Sequence, residues 1–171
     1  MPSSAKLSTK EITLLGLLLS GAIALRLLEG TFAYLLPFPG AHLGLANCLT
    51  IMVLYLFGAG KAGLFLLARI ILVGLLFTGL FTPGFLIGLG GAILSFLAMA
   101  IARDLSCFSP IGIGVLGAFC HNLGQICVAI YIMHTAALLS YLPLLILLGI
   151  PTGIFTGLLA KLALQRLSRL N

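Results

Sequence analysis

The sequence predicts an all-α, polytopic membrane protein folded as one compact bundle of about six transmembrane helices. Three observations predict it. The first is composition: of 171 residues, 61% are hydrophobic and only 7% charged, against about 25% charged in a soluble domain. Mean hydropathy is +1.29. Such a chain has too little polar surface to cover itself against water. The second is the length of the apolar runs, each near the roughly 20 residues that cross a bilayer as helix. Their continuity argues against the short alternating strands of an outer-membrane barrel. The third is the placement of charge. With the N-terminus in the cytoplasm, Lys6, Lys10, Lys61, Arg103, Lys161, Arg166 and Arg169 all fall on the inner side, and the outer loops have no Lys or Arg. This positive-inside pattern fits an even number of spans, with both termini cytoplasmic, in the plasma membrane. It also reads the net charge of +6 as topology rather than as nucleic-acid binding.

The expected spans are 11–30, 43–59, 62–80, 84–102, 110–133 and 142–163, within a single integral membrane domain covering residues 1–171. In span one, Ala22-Ile23-Ala24 resembles a signal-peptide cleavage site. The rest of the chain is itself membrane-embedded, so a first spanning helix is the expectation. Gly16, Ser20 and Ala24 recur every four positions there. This small-residue stripe permits close helix approach, either inside the bundle or against a partner helix. Arg26 and Glu29 sit three apart near the outer end. They read as an interfacial ion pair or as groups facing an outward cavity.

Before span two, "PFPGAH" (37–42) holds two prolines and a glycine, so regular helix is excluded there. His42 and Asn47 bracket a turn into the membrane. That turn either caps the helix or presents N–H groups to a polar or anionic ligand. Arg69 lies about two turns into span three. An ionisable group in hydrocarbon costs a few kcal/mol, so it must face protein or water. Its fork of donors suits a carboxylate, a phosphate or a carbonyl. Gly84, Gly88 and Ala92 in span four, and Gly149, Gly153 and Gly157 in span six, are further small-residue stripes expected to pack helices.

Span five contains "GAFCHNLGQICVA" (117–129). At 100° per residue, His121 and Gln125 share a face, and Asn122 lies three residues from Gln125. Gly117 and Gly124 admit a close backbone or ligand. A lone polar residue reads as glue between helices; three together favour a binding site. Cys120 points about 100° away from His121, and no His/Cys/Asp cluster has ligand spacing, so neither a metal nor another cofactor is expected. Cys48, Cys107, Cys120 and Cys127 form no CxxC pair and read as small buried hydrophobes. His134 reads as an outer-loop residue. Asp104 is the only Asp, and there is no Walker loop or nucleophile motif. No catalytic residue is expected, and ATP hydrolysis by this chain alone is not.

The motifs "PFPGAHLGLAN", "GGAILSFLAM", "GAFCHNLGQ" and "YLPLLILLGIPTGIFTGLLAK" resemble the Gx transporter family, often labelled heptaprenyl diphosphate synthase component I. The resemblance runs from about Leu14 to Lys161. The LGLAN and HNxGQ elements, in this order and spacing, are its specific part. His42 departs from the Lys or Arg expected at that place. The family is in turn similar to the substrate-binding S-components of energy-coupling factor importers. That likeness implies six helices with cytoplasmic termini, and a ligand site near the outer side beneath the first outer loop. It also implies a small-residue first helix, here Gly16, Ser20 and Ala24, docked to a transmembrane coupling subunit driven by separate ATPases. The expected pocket then holds Asn47, Arg69, His121, Asn122 and Gln125, with Glu29 and His42 near its mouth. The synthase label conflicts with the chemistry, because prenyl diphosphate synthases hold Mg²⁺ with clustered aspartates. Under that label the chain is at most an accessory membrane subunit serving a soluble prenyl synthase. A purely structural bundle is the third reading.

Overall fold

The computed structural model describes residues 8–33, 44–105 and 108–167. Lys6, His42, Cys107 and Arg169, on which expectations were placed, lie outside the described residues. Five helices carry the fold: α1 (Thr9–Ala33), α2 (Leu45–Val73), α3 (Pro83–Asp104), α4 (Pro110–Met133) and α5 (Leu142–Leu167). A π-helical turn, Gly74–Thr78, extends α2, and a short 3₁₀ segment, Ala136–Tyr141, precedes α5. All five helices are long and apolar enough to cross a membrane.

Local chemistry fixes the helix starts. Ser8 and Glu11 form a reciprocal capping box: the Ser8 N–H donates to Glu11 Oε2 at 3.0 Å, and the Glu11 N–H donates to Ser8 Oγ at 3.3 Å. Thr82 caps α3 by accepting from the Phe85 N–H, and Ser109 caps α4 by accepting from the Gly112 N–H. Each is followed by a proline in the first turn, where the missing N–H is no loss. The C-terminus of α4 ends at His134, which adopts a left-handed conformation and is exposed.

Spans two and three were expected as separate helices. The structure joins them in α2, but not as a straight rod. Gly58 has φ 83° and ψ 172° inside the helix. Arg69 Nη1 donates to the Ala46 carbonyl at 2.7 Å. In a straight helix these residues would stand about 35 Å apart, so the chain reverses at Gly58 and α2 is a pair of antiparallel limbs. Its first limb is the centre of the bundle. Ala46, Cys48, Thr50, Ile51, Met52, Val53 and Leu54 are all buried, leaving almost no face of that limb for lipid. The helices α1, α3, α4 and α5 each pack on α2, whereas α1 packs on nothing else among the described elements.

The glycines of α4 and α5 do the packing expected of them. A Cβ on Gly153 would lie 2.7 Å from Val115 Cα, and one on Gly157 2.7 Å from Ile111 Cα. On the other side of α4, a Cβ on Gly124 would lie 2.7 Å from the Gly90 carbonyl oxygen. Only glycine permits such backbone approach. The α3 stripe differs from expectation. Gly90 and Gly91 meet α4, while Gly84 and Gly88 have open space where a Cβ would stand.

The two ends of the bundle differ in charge. At one end Lys61 pairs with Glu11 and lies 5.8 Å from the Phe57 ring, and Arg103 meets Asp104 at 3.3 Å. Lys161 and Arg166 sit in the last turns of α5. Arg26, Glu29 and Arg69 occupy the opposite half.

Gly58 gives a direct test. Its backbone conformation belongs to a region that is essentially glycine-only and costs other residues on the order of 1–3 kcal/mol. A Cβ there meets nothing within 4 Å, so the cost would be backbone strain alone. Gly58→Ala should lower the thermal midpoint of the purified protein, whereas Gly60→Ala, equally uncrowded but without a positive φ, should leave it unchanged or raise it. Equal midpoints for the two variants would contradict the reversal.

Candidate functional site

The half of the bundle away from the Lys61–Glu11 pair encloses a cavity of about 540 Å³, within the usual range for small-molecule sites. Its wall draws on every helix: Arg26 and Glu29 from α1, Asn47 and Arg69 from α2, Gly84 and Gly88 from α3, His121 and Gln125 from α4, Thr152 and Thr156 from α5. The geometry follows from the glycine contacts and the Gly58 reversal. The large buried side chains near Met99 and Ile113 fill the Lys61 half. In the other half the helices enclose space instead.

Arg69 organises the polar wall. It is 7% exposed, and three of its donor contacts run across the reversal. Nη1 donates to the Ala46 carbonyl at 2.7 Å and to Thr50 Oγ1 at 3.0 Å, and Nη2 donates to Asn47 Oδ1 at 3.3 Å. Glu29 is 4% exposed and close enough to act on Arg69 through space. Arg26 pairs with Glu29 at 3.5 Å, its own side chain 25% exposed. The two residues form an i,i+3 ion pair, and both line the cavity.

On α4 the three polar residues divide. Asn122 Nδ2 donates to the Leu145 carbonyl at 2.7 Å, tying α4 to α5 as interhelical glue. His121 and Gln125 lean on α3, where a Cβ on Gly91 would stand 2.6 Å from Gln125 Cγ and 3.1 Å from His121 Cε1. All three still border the cavity. Facing them, Gly84, Phe85, Gly88 and Leu89 form a largely apolar wall.

The structure thus gathers Asn47, Arg69, His121, Asn122, Gln125 and Glu29 around one cavity. His42 lies outside the described residues. Gly16, Ser20 and Ala24 are elsewhere, on the exposed side of α1. Two features were missed in the sequence. Thr50 stands one helical turn after Asn47 on the same face, so the i,i+3 spacing was a usable signal. The open face of Gly84 and Gly88 had no signal that distinguished it from a packing stripe.

Two variants test this geometry. Arg69→Gln should destabilise the protein by about 1.5–3 kcal/mol in thermal or denaturant unfolding, because the charged donors that hold the Ala46 carbonyl, Thr50 and Asn47 across the reversal are lost, while Glu29 keeps Arg26 as its partner. Gly88→Leu should fill the cavity with little change in unfolding midpoint, since nothing lies within 4 Å of the new Cβ. A large loss of stability in Gly88→Leu would mean that the space is not there.

No curated protein and no solved structure matches the chain. A family model described as heptaprenyl diphosphate synthase component I matches residues 18–163. That match takes in the last four turns of α1, the whole cavity and most of α5, so the chain belongs to the heptaprenyl diphosphate synthase component I family.

Proposed function

We propose that the protein is the substrate-binding membrane subunit of a small-molecule importer, energised by separate ATPase and coupling subunits. The observation behind this reading is the cavity: a space of about 540 Å³ with directed polar groups, inside a bundle whose outside is apolar. Membrane proteins place ionisable groups in the apolar layer where substrates or ions are handled. On this reading the bundle crosses the membrane six times, counting the limbs of α2 on either side of Gly58 separately. The end with Lys61, Arg103, Lys161 and Arg166 faces the cytoplasm by the positive-inside rule. The cavity then lies toward the outer side, where an imported molecule arrives. The protein itself catalyses no reaction; it binds, and its partners supply energy.

The face of α1 bearing Gly16, Ser20 and Ala24 is the proposed contact for the coupling subunit. Those residues are exposed, and a Cβ on Gly16 meets nothing within 4 Å. Exposed large residues such as Leu17 and Leu28 lie on the same helix, and α1 packs only on α2 among the described elements.

The family's description supports a second reading, an accessory membrane subunit in heptaprenyl or polyprenyl diphosphate synthesis. The chain would hold an apolar chain in its cavity and present it to a soluble synthase.

Affinity purification from the native membrane under mild conditions separates the two. The importer reading expects co-purifying ATPase and coupling subunits, and their loss in a Gly16→Leu, Ser20→Leu variant whose unfolding midpoint is unchanged. Recovery of a prenyl synthase instead, whose rate rises on adding the protein, would favour the second reading and sink the first.

A further inference from the structure

Two arginines, Arg26 and Arg69, and one carboxylate, Glu29, border the cavity. From this we infer that its occupant is a small monoanion, with one carboxylate or phosphate-type group held at Arg26 and an apolar body lying against the α3 wall. This rests on the binding-site reading above and names the ligand class.

The chain contains three acidic residues, Glu11, Glu29 and Asp104. Glu11 is held by Lys61 and Asp104 by Arg103, both in the other half of the bundle. Glu29 alone remains for the cavity, where it pairs with Arg26; Arg69 borders the same cavity. Residues 34–43 contain no Asp or Glu, so wherever they lie they add no carboxylate. His42 and His121 can only add positive charge. The cavity therefore has one positive charge more than it has negative.

Such a surplus is costly in a low-dielectric setting unless an anion or water meets it. The hydrogen bonds say where the anion belongs. Arg69 is committed to α2 through Ala46, Asn47 and Thr50. Arg26 borders the same cavity with a quarter of its side chain accessible. It is the guanidinium that an incoming oxyanion reaches, beside its pair with Glu29. The opposite wall limits the rest of the ligand. Gly84 and Gly88 leave open space beside Phe85 and Leu89, a shallow apolar surface suited to a ring or short alkyl body. The Asn122 amide is engaged with Leu145, so His121 and Gln125 are the α4 groups placed to read polar atoms at the far end. A diphosphate brings more negative charge than the single surplus balances; a monoanion matches it.

The test uses the full chain in two measurements. Native mass spectrometry of mildly purified protein reads what the cavity retains from the cell. Thermal unfolding in phosphatidylcholine nanodiscs, with and without phosphatidylglycerol, reads the response to benzoate, benzamide and benzylammonium, three probes of one shape and different charge. The expected results are a retained small monoanion and stabilisation by benzoate alone. Arg26→Gln should weaken benzoate binding about tenfold or more, the usual worth of a charged hydrogen bond, while Arg26→Lys keeps most of it. Gly88→Leu should abolish it.

A retained neutral or cationic molecule overturns the anion assignment but leaves the binding-site reading standing. The same holds if benzamide stabilises as well as benzoate, or if Arg26→Gln binds benzoate as tightly as the unmodified chain. A retained two-chain phospholipid, or loss of the benzoate effect on adding phosphatidylglycerol, identifies a lipid headgroup as the anion and overturns the small-molecule ligand. Absence of any retained molecule together with no response to any probe removes the binding-site reading itself.

Discussion

The structure turns on one buried guanidinium. Arg69 lies in an apolar bundle, where an unpaired cation costs several kcal/mol. Its bonds therefore dictate what surrounds it. The carbonyl of Ala46, the amide of Asn47 and the hydroxyl of Thr50 are brought to it, and this is possible only because Gly58 reverses the chain. The reversal in turn places the first limb of α2 at the centre, where α1, α3, α4 and α5 gather on it. One charge thereby ties the register of the two limbs.

Packing and emptiness have a common origin. The helix α4 meets its neighbours through glycines on two faces, with Gly124 against α3 and Gly114 against α5. Backbones that touch at those points can diverge beyond them. Large side chains such as Met99, Ile113 and Leu54 fill the half near Lys61. In the other half, small residues on α3 and polar residues on α1, α2 and α4 leave a space that the chain's own side chains do not occupy. The cavity follows from where glycine and bulk are distributed along each helix.

Much of this was legible in the sequence. The helical membrane class came from composition and run length, which act over the whole chain and tolerate local exceptions. The α5 stripe was readable because glycines four apart have one effective use when they face a neighbouring backbone. The α3 stripe was misjudged for the same reason: spacing tells which residues share a face, not whether that face meets a helix or a void. The break between spans 43–59 and 62–80 was expected, and Gly58 makes it. Across a separation of 22 residues, though, the sequence named Asn47 and Arg69 without fixing that they meet. Asn122 shows the remaining limit. Its type and position fit a ligand site as well as interhelical glue, and only its bond to the Leu145 carbonyl shows which task its amide performs.

The same scarcity of acids that gives the cavity its charge bears on the family's description. Holding a diphosphate through Mg²⁺ needs several carboxylates converging on the metal. In the cavity half of the bundle Glu29 is the single carboxylate, and it is already engaged by Arg26. Its neighbours there are cationic or neutral, and a divalent cation placed beside them would add to an existing positive excess. Metal-assisted prenyl transfer at this site would therefore have to proceed against the local field. Binding an anion runs with it. The local field is thus set by residues spread over several helices, Arg26 and Glu29 on α1 and Arg69 on α2 among them, rather than by any one motif.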